Sequence, residues 1–326
     1  MAHSALLDSW TAEQHRQRSL AVFTDSDLDF AVHAPAEPAL PASPSQTPPI
    51  HRLDPAKLEI DGLHTVAGLD ISFPPGSDSG DEGIAVLAVL SFPDLKPLHT
   101  LTRRISLSST PYIHSYLSFR EADHYVALVD ELRAMPGARM PQVLFVDGNG
   151  RWHPREAGSA VAVGVKTGIP TVGVAKEYHP ITSASSSSSA PSSSAPASTS
   201  ADPPPPYPLD FRFTQKGMRK ACQHLLQKRG DWLGLVPPDP ALPADGGCGA
   251  AGTSEDYWGA ALLSSPSKTA SNPVFISPGH RLSLETCVAL TLACCRESKV
   301  PEPVRRADAV GREEARRIWG GAGEAG

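Results

Sequence analysis

The chain has 326 residues, 40% of them hydrophobic and 20% charged, which fits a folded globular protein and excludes a disordered one. The formal net charge of -6 argues against an overall basic surface, so any nucleic-acid contact has to come from local charge. No run of about 18 apolar residues occurs, so no membrane-spanning helix is expected, and the polar start leads us to expect no signal peptide.

In chain order, residues 5–25 space Leu6, Leu7, Trp10, Ala21 and Val22 among polar residues and predict an amphipathic helix. We assign residues 1–33 to this helix, packed on the core, and residues 34–54, rich in Pro, Ala and Ser, to a loop. A compact block follows. Val66 to Phe73, Ile84 to Phe92 and Leu98 to Leu107 read as three strands joined by short connections, hence an antiparallel meander. Phe119 to Met135 carries Ala122, Val126, Val129 and Leu132 at helical spacing. Val143 to Val146 is a fourth strand, residues 156–167 a helix rich in small residues, and Pro170 to Val174 a fifth strand. Strand, helix, strand, helix and strand predict a mixed α/β sheet flanked by helices. Its two crossovers should make the first, fourth and fifth strands parallel.

Thr182 to Pro208 is almost pure Ser, Pro and Ala. Such a stretch buries too little apolar surface to offset its ordering entropy and reads as a disordered insert, suited to partner recruitment or phosphorylation. Residues 235–255 read as a second insert, and 214–228 between the two as a helix. Tyr207 to Arg229 carries Arg212, Lys216, Arg219, Lys220, Lys228 and Arg229 against Asp210 alone, which is either a solvated helix face or a phosphate-facing one. A strand at Pro273 to Ile276 and a helix at Leu282 to Cys295 complete the catalytic domain, which we place at 55–310 with inserts at 182–208 and 235–255; 311–326 reads as a tail. The five cysteines form no CxxC pair, so reduced thiols and an intracellular setting, cytoplasm or nucleus, are expected.

Three acids stand out. Asp70 lies inside an apolar strand, where a carboxylate is costly unless it is paired or holds a cation. Asp147 ends another strand, on the side where α/β sheets bind ligands, although Asp-Gly is also a common turn. Glu121 opens a helix, where an acid also complements the dipole. Together they suit a hard divalent cation, which activates water and steadies the leaving oxygen of a phosphodiester. Gly247 to Gly252 matches GxGxxG as text but follows no strand, so a dinucleotide site is set aside.

The motifs sharpen this. Pro111-Tyr112-Ile113-His114-Ser115-Tyr116-Leu117-Ser118-Phe119-Arg120-Glu121 resembles the signature of the endonuclease V family. So do Val146-Asp147-Gly148-Asn149-Gly150 with His153-Pro154-Arg155, Gly173-Val174-Ala175-Lys176 and Gly279-His280-Arg281-Leu282-Ser283, all in the family's order. Pro301-Glu302-Pro303 with Ala307-Asp308 looks similar too. The resemblance implies a ribonuclease H-like fold. It implies a nuclease that cuts RNA or DNA at the second phosphodiester 3′ to inosine, leaving 3′-hydroxyl and 5′-phosphate ends. The cofactor implied is Mg2+, with Mn2+ as the alternative carboxylates also accept.

Carried over by position, Asp70, Asp147 and Glu121 would hold the metal, with His280 and Lys176 as catalytic aids. Tyr112, Ile113 and His114 would form a wedge that unstacks the target base. Gly148, Gly150 and Gly158 would shape its pocket. His153, Arg155 and Lys176 would contact the nucleic acid. His114 and Glu156-Ala157 depart from the family's usual residues, Pro or Ser in the wedge and a Gly-aromatic pair after the arginine. A nuclease that reads nucleic-acid structure in place of inosine, and a non-cutting nucleic-acid-binding protein, are the competing readings. A monomer with RNA preferred over DNA is the expectation.

Overall fold

The structure is a computed structural model that describes residues 2–35, 50–76, 80–181, 214–237, 257–267 and 272–320. The first insert, 182–208, lies outside the described residues, as does nearly all of the second.

Helix α1 (Ala2–Leu20) is followed by short strands β1 (Ala31–His33), β2 (Ile50–Arg52) and β3 (Glu59–Asp61). Then come β4 (Thr65–Ser72), β5 (Glu82–Ser91), β6 (Pro97–Ser106), α2 (Ser118–Ala134), β7 (Val143–Asp147), α3 (Ser159–Thr167) and β8 (Thr171–Ala175). Helix α4 (Gln215–Leu225), β9 (Asp231–Leu235), β10 (Gly259–Leu262), β11 (Val274–His280), α5 (Leu284–Cys294) and α6 (Glu302–Trp319) complete the chain.

Nine strands form one sheet in the order β2-β9-β10-β11-β8-β7-β4-β5-β6. The meander β4-β5-β6 is antiparallel, and β4, β7 and β8 are parallel, as the two crossovers require. This is the mixed α/β architecture expected from the sequence, with helices on both faces.

The alternation of β4 decides which face meets what. Ala67 and Leu69 join Tyr125, Leu128 and Leu132 of α2 and Val163 of α3 in one buried cluster. Val66 joins α5 and Val304 of α6 in another. The strand is buried on both sides, so its period of two is invisible in hydropathy alone. Asp70 shares its side with Val66, and its carboxylate is therefore turned toward the α6 layer.

Three expectations need correction. The N-terminal helix ends at Leu20, not residue 25. The expected loop 34–54 contains β2, which pairs with β9 and carries Arg52, bound to the buried Asp231 at 2.6 Å. The expected tail 311–326 is instead largely α6. Its buried stripe of Val304, Ala307, Gly311 and Ala315 is made of small residues among many charges, so it carries little hydropathy signal. Strands β9 and β10 were also not expected: the first opens on Gly230-Asp231, which looks like a turn, and the second is Gly-Ala-Ala-Leu, a weak strand former. Cys222, Cys287, Cys294 and Cys295 are buried free thiols, as expected; Cys248 lies outside the described residues.

Close approach of α6 to β4 fixes the layer spacing. A Cβ on Gly68 would stand 2.0 Å from the Pro303 carbonyl oxygen. Gly68→Ala should therefore cost about 3 kcal/mol, at the top of the overpacking range. Thermal unfolding of the variant checks this, and an unchanged midpoint would show that α6 can slide away at no cost.

Candidate active site

Three parallel strands inside the sheet deliver the chemistry to their C-terminal ends. Leu69 of β4 pairs with Val146 of β7, so Asp70 and Asp147 emerge side by side. Asp147 pairs with Val174 of β8, which brings Lys176 just past the strand end. Helix α6 closes the cluster with Asp308, a residue assigned no role from sequence.

The Lys176 ammonium sits among the three carboxylates. Its Nζ is 2.7 Å from Asp147 Oδ2, 3.5 Å from Asp308 Oδ1 and 3.8 Å from Asp70 Oδ1. Asp70 is 4% exposed. Burial, then its hydrogen bond to and repulsion by Asp147, pushes its carboxyl well above the usual range, with Lys176 opposing. Burial alone would lower the lysine, but attraction to Asp147, Asp70 and Asp308 outweighs it and holds the ammonium above its ordinary value.

Glu121, in the first turn of α2, stands on the other flank. Burial raises its carboxyl to about 7, against the hydrogen bond that Ser159 Oγ donates at 3.2 Å. Tyr125, one turn further along α2, lies buried beneath these acids, and burial and their charges push its phenol well up.

Among the described residues, no three ligating side chains converge tightly enough by themselves to cage an ion. The donor set is nevertheless suited to a hard divalent cation. It offers carboxylate oxygens only, their mutual repulsion disfavours full ionisation without a cation, and a positive charge already stands at their centre.

Asp70, Asp147, Glu121 and Lys176 border a cavity of about 520 Å³. Tyr112 and His114 line it, as do Gly148, Gly158, His153, Arg155 and Lys176. Tyr112 is 68% exposed, so its ring is free to meet a ligand.

His153 and Arg155, besides lining the cavity, have a structural task that the sequence did not show. Three donors converge on the Ser115 carbonyl: Arg155 Nη2 at 2.8 Å, His153 Nε2 at 2.9 Å and Gln14 Nε2 of α1 at 3.0 Å. Ser115 has a φ of 66°, and these bonds hold that left-handed turn. Backbone N–H groups of Arg155 and Ala157 donate to His153 Nδ1, so its proton is on Nε2. Burial first, then Arg155, pushes this imidazole down to about 3, so it is neutral at ordinary pH. The pair pins the loop that carries Tyr112, and Thr11 Oγ1 adds a 2.7 Å bond to the Tyr116 hydroxyl.

Three expected site residues lie elsewhere. His280 pairs with Thr171 at the start of β8, the end of the sheet opposite Lys176, and its Nδ1 accepts from the Val22 N–H. It is not part of the acidic cluster. The reason is strand direction: β11 runs antiparallel to β8 and carries the histidine away. Gly150 is buried behind the cavity wall, where a Cβ would meet the Pro278 oxygen at 2.2 Å. Ile113 does not line the cavity, although its neighbours on both sides do.

Asp308 and Gln14 were the residues sequence reasoning missed. The Ala307-Asp308 pair stood in the family's order, and the stripe Val304, Ala307, Gly311, Ala315 at three- and four-residue spacing could have identified its helix.

Comparison with known proteins points to one family. The Endonuclease V family model matches residues 50–200 and 239–309. Human Endonuclease V is 36% identical over 267 residues, covering 82% of this chain and 76% of that protein. The crystal structure of the catalytic domain of human Endonuclease V superposes with a TM-score of 0.66 at 34% identity, covering 97% of this chain and 98% of that one. Endonuclease V of Ciona intestinalis, in complex with a 24mer DNA containing an inosine followed by a ribo-adenosine, shares the fold with a TM-score of 0.65 at 23% identity. That match covers 96% of this chain and 99% of the Ciona chain.

The raised Glu121 carboxyl fixes a pH signature. Without divalent cation the folded state keeps a proton that the unfolded state releases from about pH 4.5, so stability due to Glu121 is present below 4.5 and falls until about 7. His153 has the opposite sign between about 3 and 6.5, so the comparison has to be between variants. Glu121→Gln should gain stability over the parent chain progressively between pH 4.5 and 7, measured by denaturant unfolding in EDTA. A pH-independent difference would contradict this.

Proposed function

The chain belongs to the endonuclease V family, hence to the phosphodiester-hydrolysing nucleases, and from that premise we propose that it cuts nucleic acid at the second phosphodiester 3′ to inosine. The products are a 3′-hydroxyl and a 5′-phosphate. We propose Mg2+ as the cofactor, RNA before DNA as the substrate, and a monomer as the working unit. The leaning to RNA rests on the chain's resemblance to the family's eukaryotic members.

The observation that carries the proposal is the clustering of Asp70, Asp147 and Asp308 about Lys176 beside a cavity walled by the Tyr112 loop. Asp70, Asp147 and Asp308 would hold the cation, with Glu121 completing the acidic wall. Bound there, a divalent ion supplies an activated water and neutralises charge on the leaving oxygen. Lys176, already at the cluster, is placed to neutralise a phosphate oxygen. Tyr112 stands where it can fill the gap left by an unstacked base, and the small residues Gly148 and Gly158 leave room for that base. Gln14, His153 and Arg155 fix the loop that holds Tyr112.

The test uses four end-labelled single strands with Mg2+: RNA and DNA, each with and without one inosine. Inosine-dependent cutting one nucleotide beyond the base, faster on RNA, is expected. Asp308→Asn should lower the rate at least about 100-fold while the fold is kept. Equal cutting of strands without inosine would transfer the assignment to a structure-selective nuclease, and binding without cutting would make the chain a non-catalytic binder.

A further inference from the structure

The cavity has a second exposed aromatic that the reading above leaves without a task. Among the described residues, Phe73 and Tyr112 are the aromatic members of the exposed large hydrophobic set, at 42% and 68% exposure. Both line the cavity.

Phe73 follows the last residue of β4 and lies three residues beyond Asp70, about 10 Å along the extended chain. Pro74 and Pro75 come next and restrict the backbone there, so the ring is carried on a stiff segment. The buried Arg120 guanidinium links the two aromatics. Its Cζ lies 5.8 Å from the Tyr112 ring centre, and its Nη2 donates to the Gly80 carbonyl at 2.7 Å. A Cβ placed on Gly80 would stand 3.8 Å from Phe73 Cε1 and 3.9 Å from Arg120 Nη2. Phe73, Gly80, Arg120 and Tyr112 therefore make one continuous rim beside the acidic cluster.

Exposed aromatic rings next to guanidinium groups, along a phosphate-binding groove, are the surface on which unpaired bases stack without regard to sequence. Resting on the reading that the cavity takes a nucleic-acid strand, we propose that Phe73 is a second stacking platform, which holds an unpaired nucleobase next to the nucleotide at the cut. Tyr112 then serves the target base and Phe73 a neighbour along the same rim.

The experiment compares Phe73→Ala, Phe73→Leu and Phe73→Trp in the full chain. Binding of a fluorescent strand is followed by anisotropy, with the strand single and fully paired, and cleavage of the inosine strand gives KM and kcat. Phe73 is exposed, so the variants should keep the parent's unfolding midpoint. Phe73→Ala and Phe73→Leu should weaken single-strand binding and raise KM about tenfold with kcat kept within about twofold, in the range for stacking one base. Phe73→Trp should restore both. On the paired strand all four proteins should agree within about twofold. Wild-type values for Phe73→Leu would overturn the stacking role, as would an equal loss on paired and single strands. Should the parent chain bind single strands but leave inosine uncut, the function proposed above fails while the binding comparison still decides the platform.

Discussion

The structure depends on holding carboxylates where they repel one another. Asp70 and Asp147 are brought side by side by the pairing of parallel strands, and α6 adds Asp308 from above. Water cannot relieve this at Asp70, which is 4% exposed. The arrangement survives because Lys176 stands within 4 Å of all three acids and because the proton affinity of Asp70 rises to keep part of the charge off. A divalent cation would remove both needs at once, releasing the proton and freeing the ammonium to meet phosphate.

Holding that cluster requires short distances between layers. Gly68 lets the start of α6 rest directly on β4, which sets the height at which Asp308 meets Asp70. On the opposite side α2 carries Glu121 and α3 carries its partner Ser159. The loop with Tyr112 has no sheet to support it. It is tied down instead by polar groups from α1 and from the segment after β7, which meet at the Ser115 carbonyl. The same scaffold thus separates two tasks: strand ends fix the acids, and a hydrogen-bonded knot aims the exposed aromatic.

Much of this was legible in the sequence where local signals agree. Asp70 and Asp147 announce themselves as acids in apolar strands, and the order strand, helix, strand, helix, strand dictates their parallel neighbours. What was hidden depends on long-range placement. His280 was expected at the metal site from its motif, but the antiparallel course of β11 carries it to the far end of β8. Asp308 sits in a helix whose buried stripe is alanine and glycine, so charge masks it. His153 and Arg155 line the cavity, but their bonds to a backbone carbonyl and to a glutamine 141 residues away from the arginine were not legible. No local pattern encodes that knot.

The central claim is that the acidic cluster is poised for a cation, and it is tested most directly on the protein alone. The thermal midpoint is measured against Mg2+ concentration, without substrate, for the parent chain, Asp70→Asn and Asp147→Asn. The account predicts that Mg2+ raises the parent's midpoint, by about 2.7 kcal/mol of stabilisation at 100 times the dissociation constant. Both variants should start at least as stable as the metal-free parent, relieved of repulsion, and respond to Mg2+ little or not at all. Equal Mg2+ shifts in all three proteins, or variants less stable than the metal-free parent, would contradict it.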